Sequence, residues 1–302
     1  MNLLDLLCPP AFAHTGAGGA TVPVTVSASV WWEWRAEWGL LVLLVCAALV
    51  YGRLMLQASR ETGMPFSRAH ALRFGLGLLV MYIASASPID RIGEEYLFSM
   101  HMVQHNLMMY LLARLLLAGI PDWAARHWFA AVPGLQRVYD FISHPIVACV
   151  SFNLVFTLWH IPFLYDWALR DRLVHNLEHL SMIGTALVLW LPIWSPLREK
   201  RLNYPMQIFY LLSLAIAQLP VFAYVTFSPQ VLYPTYEMAP RLTVMGPLMD
   251  QQLGGVLMKI NGMLVLFAAF ISIALEWYNS EQPKPEAEAQ DAGPLTQQPQ
   301  AT

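Results

Sequence analysis

The chain has 302 residues, of which 57% are hydrophobic and only 12% charged, and its formal net charge is −3. A soluble domain carries about 25% charged residues, so this composition excludes an ordinary soluble fold and indicates a polytopic membrane protein with the lipid bilayer as solvent. No basic stripe or cluster is present, which excludes a nucleic-acid partner.

Residues 1–34 read as an exported leader. Ala11-Phe12-Ala13 before His14 has the form of a signal-peptidase site, yet no basic segment precedes it and Pro9-Pro10 interrupts the apolar stretch. A cleaved signal and a retained leader both stay open. Cleavage would make His14 an amino-terminal histidine able to chelate copper; the plainer reading is a Gly-rich leader. Trp31, Trp32, Trp34 and Trp38 form an interfacial belt.

Seven apolar stretches then follow within residues 35–278, each long enough, or nearly so, to cross a hydrocarbon core about 30 Å thick. They lie near 37–56, 69–87, 95–118, 144–163, 173–194, 205–227 and 251–277. Ser85-Ala86-Ser87-Pro88 ends the second, and His144-Pro145 starts the fourth. The expected fold is all-α with seven transmembrane helices. Residues 279–302 are rich in Pro, Gln, Glu and Ala and read as a disordered cytoplasmic tail. Cys8, Cys46 and Cys149 are scattered without a C-x-x-C pair, so neither a disulfide framework nor a thiolate metal centre is expected.

Basic loops alternate with poorer ones. Arg53, Arg60, Arg68 and Arg73 crowd the first connection, Arg114, Arg126 and Arg137 the third, and Arg198, Lys200 and Arg201 the fifth. By the positive-inside rule the N-terminus lies outside and the C-terminus in the cytoplasm.

Two histidine doublets, His101/His105 and His175/His179, fall inside expected spans. Ionisable groups in a span are costly and mark function. The i, i+4 spacing puts both imidazoles of a doublet on one helix face. Both spans run inward, so both doublets fall in the outer half of the bilayer, as does His160 near the outer end of the fourth span. All five lie within about 10–15 Å of the outer surface, at 1.5 Å of rise per residue. Asp90, Glu178, Asp250 and Gln251 share that level as groups that would orient ligands or accept protons. Met108 follows His101 by seven residues, on the same face. Imidazole with thioether suits copper. Gly254-Gly255 permits close helix approach.

Other chemistries fit parts of this pattern. His175-Asn176-Leu177-Glu178-His179 has the form H-x-x-E-H, an inverted zinc-hydrolase motif, with Asp250 as a candidate third ligand. That reading leaves His101 and His105 unused. Bis-histidine haem ligation fits the doublets poorly.

Together the segments resemble the CtaG-type assembly factors of caa-type cytochrome c oxidase. The resemblance rests on Ser87-Pro88-Ile89-Asp90, Met100-His101-Met102-Val103-Gln104-His105, Trp159-His160-Ile161-Pro162, His175-Asn176-Leu177-Glu178-His179 and Asp250-Gln251-Gln252-Leu253-Gly254-Gly255. It covers roughly residues 35–278. It implies a bacterial plasma-membrane protein that is not an enzyme and helps make active haem–copper oxidase, by supplying copper to an oxidase subunit. Its implied partners are oxidase subunits and other copper chaperones. Copper is the expected metal, with His101, His105, His175 and His179 as ligands and His160 and Met108 as further candidates. An intramembrane zinc hydrolase and a metal-free scaffold for oxidase or haem assembly are the alternatives.

Overall fold

The computed structural model describes residues 28–282, so the leader before Ala28, with His14 and Cys8, and the tail beyond Gln282 lie outside it. The described residues are helical, with no β-strand among them. In chain order the helices are α1 (Trp38–Thr62), α2 (Arg68–Ala86), α3 (Pro88–Glu95) and α4 (Phe98–Ala118). They continue with α5 (Asp122–Ala131), α6 (Leu135–Ile142), α7 (Pro145–Trp159), α8 (Pro162–Arg170) and α9 (Arg172–Trp194). The last three are α10 (Tyr204–Thr226), α11 (Pro234–Met238) and α12 (Pro247–Glu281).

Five of these, α1, α2, α9, α10 and α12, are long and apolar enough to cross a membrane. The expected third and fourth spans differ from straight rods. Helix α4 passes only with α5, which bends away by 81°, and α7 only with α6, at 70°. The described residues thus hold five to seven candidate spans, according to whether each bent pair is one. Helix α7 has 15 residues, or about 22 Å at 1.5 Å each, which is short of a bilayer core. The outward side chains of α1, among them Val42, Leu43 and Leu49, are exposed. Such a face is stable only against lipid, where helices satisfy their own backbone groups.

Local chemistry sets the breaks that matter. Helix α2 stops at Ala86 because Pro88 cannot continue it; Ser87 then caps α3, its Oγ accepting from the Ile89 amide at 3.2 Å. Asp171 caps α9 in the same way, accepting from the amides of Leu173 and Val174. Helix α4 loosens into a π-turn at Leu107–Leu112, directly after the first histidine doublet. Such turns gather at functional sites. The Trp190 indole N–H donates to the Met109 carbonyl in that turn at 3.0 Å.

Helix α4 is central. It packs against α12, α3, α2 and α9. Glycines make two of these approaches possible. At Gly254 of α12 an added Cβ would meet the Phe98 ring and the Ser99 backbone of α4, as the Gly-Gly pair led us to expect. At Gly93 of α3 it would lie 2.9 Å from both Cα and N of His101. Backbone cannot rotate away as a side chain can. Gly93→Ala is therefore expected to cost about 1–3 kcal/mol, as overpacking does, and to displace α3 from His101. The check is the thermal midpoint of the purified protein; an unchanged midpoint would show that the approach is not tight.

Candidate metal centre

The site forms at the end of the bundle where α2 ends and α4 and α9 begin. His101 and His105 sit three and seven residues past Phe98, the first residue of α4; His175 and His179 sit three and seven past Arg172, the first of α9. The two doublets therefore enter at equal depth. Ring centroids are 4.3 Å apart within the first doublet and 4.2 Å within the second. Across helices, His105 to His179 is 5.5 Å and His101 to His179 is 6.1 Å.

Donor atoms of His101, His105, His179 and Glu178 all lie within 4.8 Å of one another, and all four residues are buried. Glu178 Oε1 is 3.8 Å from His101 Nε2 and 3.6 Å from His105 Nε2. Both separations exceed a hydrogen bond. They approach the spacing of about 3.4 Å between two tetrahedral ligands each about 2.0–2.1 Å from one ion. Seven buried atoms of these residues have no hydrogen-bond partner among the described residues: both nitrogens of His101 and His105, both oxygens of Glu178, and Nε2 of His179. Each such orphan costs about 1–3 kcal/mol. An ion between α4 and α9 could satisfy these atoms together.

A second group adjoins the first. Asp90, Glu94 and His175 also place donor atoms within 4.8 Å of one another. His175 Nε2 is 2.9 Å from Glu94 Oε1, while its Nδ1 is 3.8 Å from Glu178 Oε2. Burial pushes the Asp90 carboxyl up to about 7, and the Glu94 charge acts the same way. Burial would raise Glu94 too, but its hydrogen bond to His175, with the nearby charges of His175, His101 and Arg35, holds it below the ordinary carboxylate range. Gln104 Nε2 donates to Asp90 Oδ1 at 2.7 Å and to the Ala84 carbonyl at 2.9 Å.

The remaining expected residues take other positions. His160 Nδ1 is bonded to the Phe156 carbonyl at 2.6 Å, and its Nε2 is a buried orphan. It stands outside the four-residue cluster. Met108 is buried in an apolar group with Ala84 and Leu112, deeper than the histidines. A seven-residue step kept it on the face of His101 but lowered it by about 10 Å along the axis. Asp250 does not reach the imidazoles as a partner; it caps α4, accepting from the amides of Phe98 at 2.7 Å and Ser99 at 3.4 Å and from the Ser99 hydroxyl. Gln251 ties the loop before α11 instead, accepting from the Leu232 amide and donating to the Val225 carbonyl.

Sequence reasoning missed Glu94, although Asp90 and Glu94 carry the same i, i+4 spacing that singled out the histidines. It also missed an aromatic wall. Phe98, Tyr165, Tyr233 and Tyr236 pack ring against ring beside His101, whose ring lies 5.2 Å from that of Tyr165; Phe98 stacks on Tyr233, and Tyr236 meets Phe98 edge-on. Tyr236 donates to the Gly93 carbonyl and Tyr233 to the His160 carbonyl. A cavity of about 670 Å³ reaches Asp90, Glu94, His175 and His179; Arg35, Glu37, Arg170 and Arg172 line it too, and Leu40, Leu43, Met81 and Leu180 of α1, α2 and α9 form its apolar wall.

Residues 49–280 match the model of the cytochrome c oxidase caa3 assembly factor family, Caa3_CtaG. Comparison with curated proteins and with solved structures gives no match.

Proposed function

The chain belongs to the cytochrome c oxidase caa3 assembly factor family, and from that premise we propose that it binds copper between α4 and α9 and delivers it to an oxidase subunit. Copper here is cargo. His101, His105 and His179 would supply nitrogen and Glu178 oxygen. The observation that carries the reading is the convergence of these four buried donor groups within 4.8 Å, most of their polar atoms without other partners. Among divalent first-row ions copper binds such nitrogen and oxygen sets most tightly.

The distribution of Lys and Arg supports an extracytoplasmic position in a bacterial plasma membrane. Arg60, Arg68, Arg198, Lys200 and Arg201 belong to connections at the bundle end opposite the histidines, and basic connections stay inside. Oxidase subunits would therefore meet the site from outside, with other copper chaperones as donors. A hydrolase reading has less support. It needs Glu178 to face water, but Glu178 is buried against His101 and His105. Its third ligand, Asp250, caps α4.

The test is complementation of a deletion strain with His179→Ala. Oxidase assembled there is expected to contain haem but less than a tenth of the normal copper. Normal oxidase copper would overturn copper delivery and leave a metal-free scaffold.

A further inference from the structure

We infer that Asp90, Glu94 and His175 form a second divalent-metal site, at the mouth, which receives the ion and hands it inward through His175. This inference rests on the inner centre proposed above. Three observations carry it. First, the donor set is compact and mixed, two carboxylates and an imidazole within 4.8 Å. Second, it faces the outer cavity, whereas His101, His105 and Glu178 do not line that cavity. An ion arriving by that path meets Asp90, Glu94 and His175 before the inner donors, apart from His179. Third, His175 faces both sites at once. It is only 8% exposed; Nε2 touches Glu94, and the orphaned Nδ1 points at the equally orphaned Glu178 Oε2, 3.8 Å away.

The chemistry runs in one direction. Two carboxylates with one imidazole are weaker donors for copper than three imidazoles with one carboxylate, so affinity rises inward. The mouth also holds its carboxylates ready. Gln104 fixes Asp90. Arg35 reaches Glu94 at 3.5 Å but also pairs with Glu95. It can release Glu94 to an incoming ion and keep a carboxylate partner. In the transfer the metal–ligand bonds change and one imidazole proton is exchanged: while Nε2 holds the ion Nδ1 carries the proton, and when Nδ1 takes the ion that proton leaves to water and Nε2 takes one up from water, so charge is conserved.

The experiment loads copper(II) alone onto the full-length protein in detergent and counts ions per chain. The unaltered protein is expected to bind two, one tight and one weaker. Asp90→Asn with Glu94→Gln, near-isosteric changes, should leave only the tight ion and slow its loading at least tenfold. His101→Ala with His105→Ala should leave only the weaker ion, with the electron paramagnetic resonance splitting of a single bound nitrogen. Retention of two ions with unchanged loading in the Asn/Gln variant would overturn the outer site while leaving the inner one intact. A single ion in the unaltered protein, unaffected by those changes, would do the same. Failure of the unaltered protein to bind any copper would overturn both sites together.

Discussion

Replacing His101 and His105 together with alanine is expected to weaken copper binding at the proposed inner site by more than about 100-fold. Altering a group that merely orients a ligand costs about 10–100-fold; two direct ligands must exceed that. The loss corresponds to at least about 2.8 kcal/mol, at 1.4 kcal/mol per tenfold. Folding should survive, because the change deletes four orphaned nitrogens and so relieves unpaired polar atoms while it opens space. The check is competitive titration of the purified variant against a chelator, with circular dichroism as the folding control. Stoichiometric zinc that ignores these changes would favour the hydrolase reading, since its motif at 175–179 uses neither residue.

Asp250→Ala is expected to have the larger effect on stability, about 3 kcal/mol or more. The carboxylate accepts from two backbone amides and one hydroxyl at the start of α4. Alanine would strand all three donors, at about 1–3 kcal/mol each in a buried setting and more beside hydrocarbon. The first turn of α4 would fray, and His101 lies in it. Asp250→Asn keeps an acceptor and should lose less than half as much. Thermal unfolding in detergent, with copper retention measured in parallel, separates the outcomes. An Ala variant as stable as Asn would show that the cap contributes little. Copper loss without destabilisation would place Asp250 among the ligands instead.

The two predictions differ in how far the sequence alone could lead. The histidine doublets were legible because helical periodicity is a local property: spacing of four on an apolar span needs no knowledge of neighbours. The helix breaks were legible for the same reason. Ser87-Pro88 ends α2 and caps α3, and Pro145 opens α7, through the chemistry of one or two residues. The equal depth of the doublets followed from topology and was reached by counting charges in loops.

The role of Asp250 was not legible. Its place on the acidic outer level suggested the metal, yet it lies 152 positions from Phe98 and binds that residue's amide. Glu94 shows the reverse error. Nothing in its local sequence singled it out beside Asp90, and only the short helix α3, pressed onto His101 through Gly93, turns it toward His175. Met108 shared a face with His101 but not a depth, because a face fixes an angle around the axis and says nothing of rise.

By itself, then, the sequence determined the solvent class, the long apolar helices, the breaks at Ser87-Pro88 and before Pro145, and the two imidazole pairs, since composition and spacing act within a few turns of chain. The tertiary structure decided which carboxylate joins which imidazole: Glu178 with His101 and His105, Glu94 with His175, and Asp250 with neither. That choice depends on how α3, α4, α9 and α12 rotate and approach one another, and glycines, caps and a π-turn on separate helices set those approaches jointly.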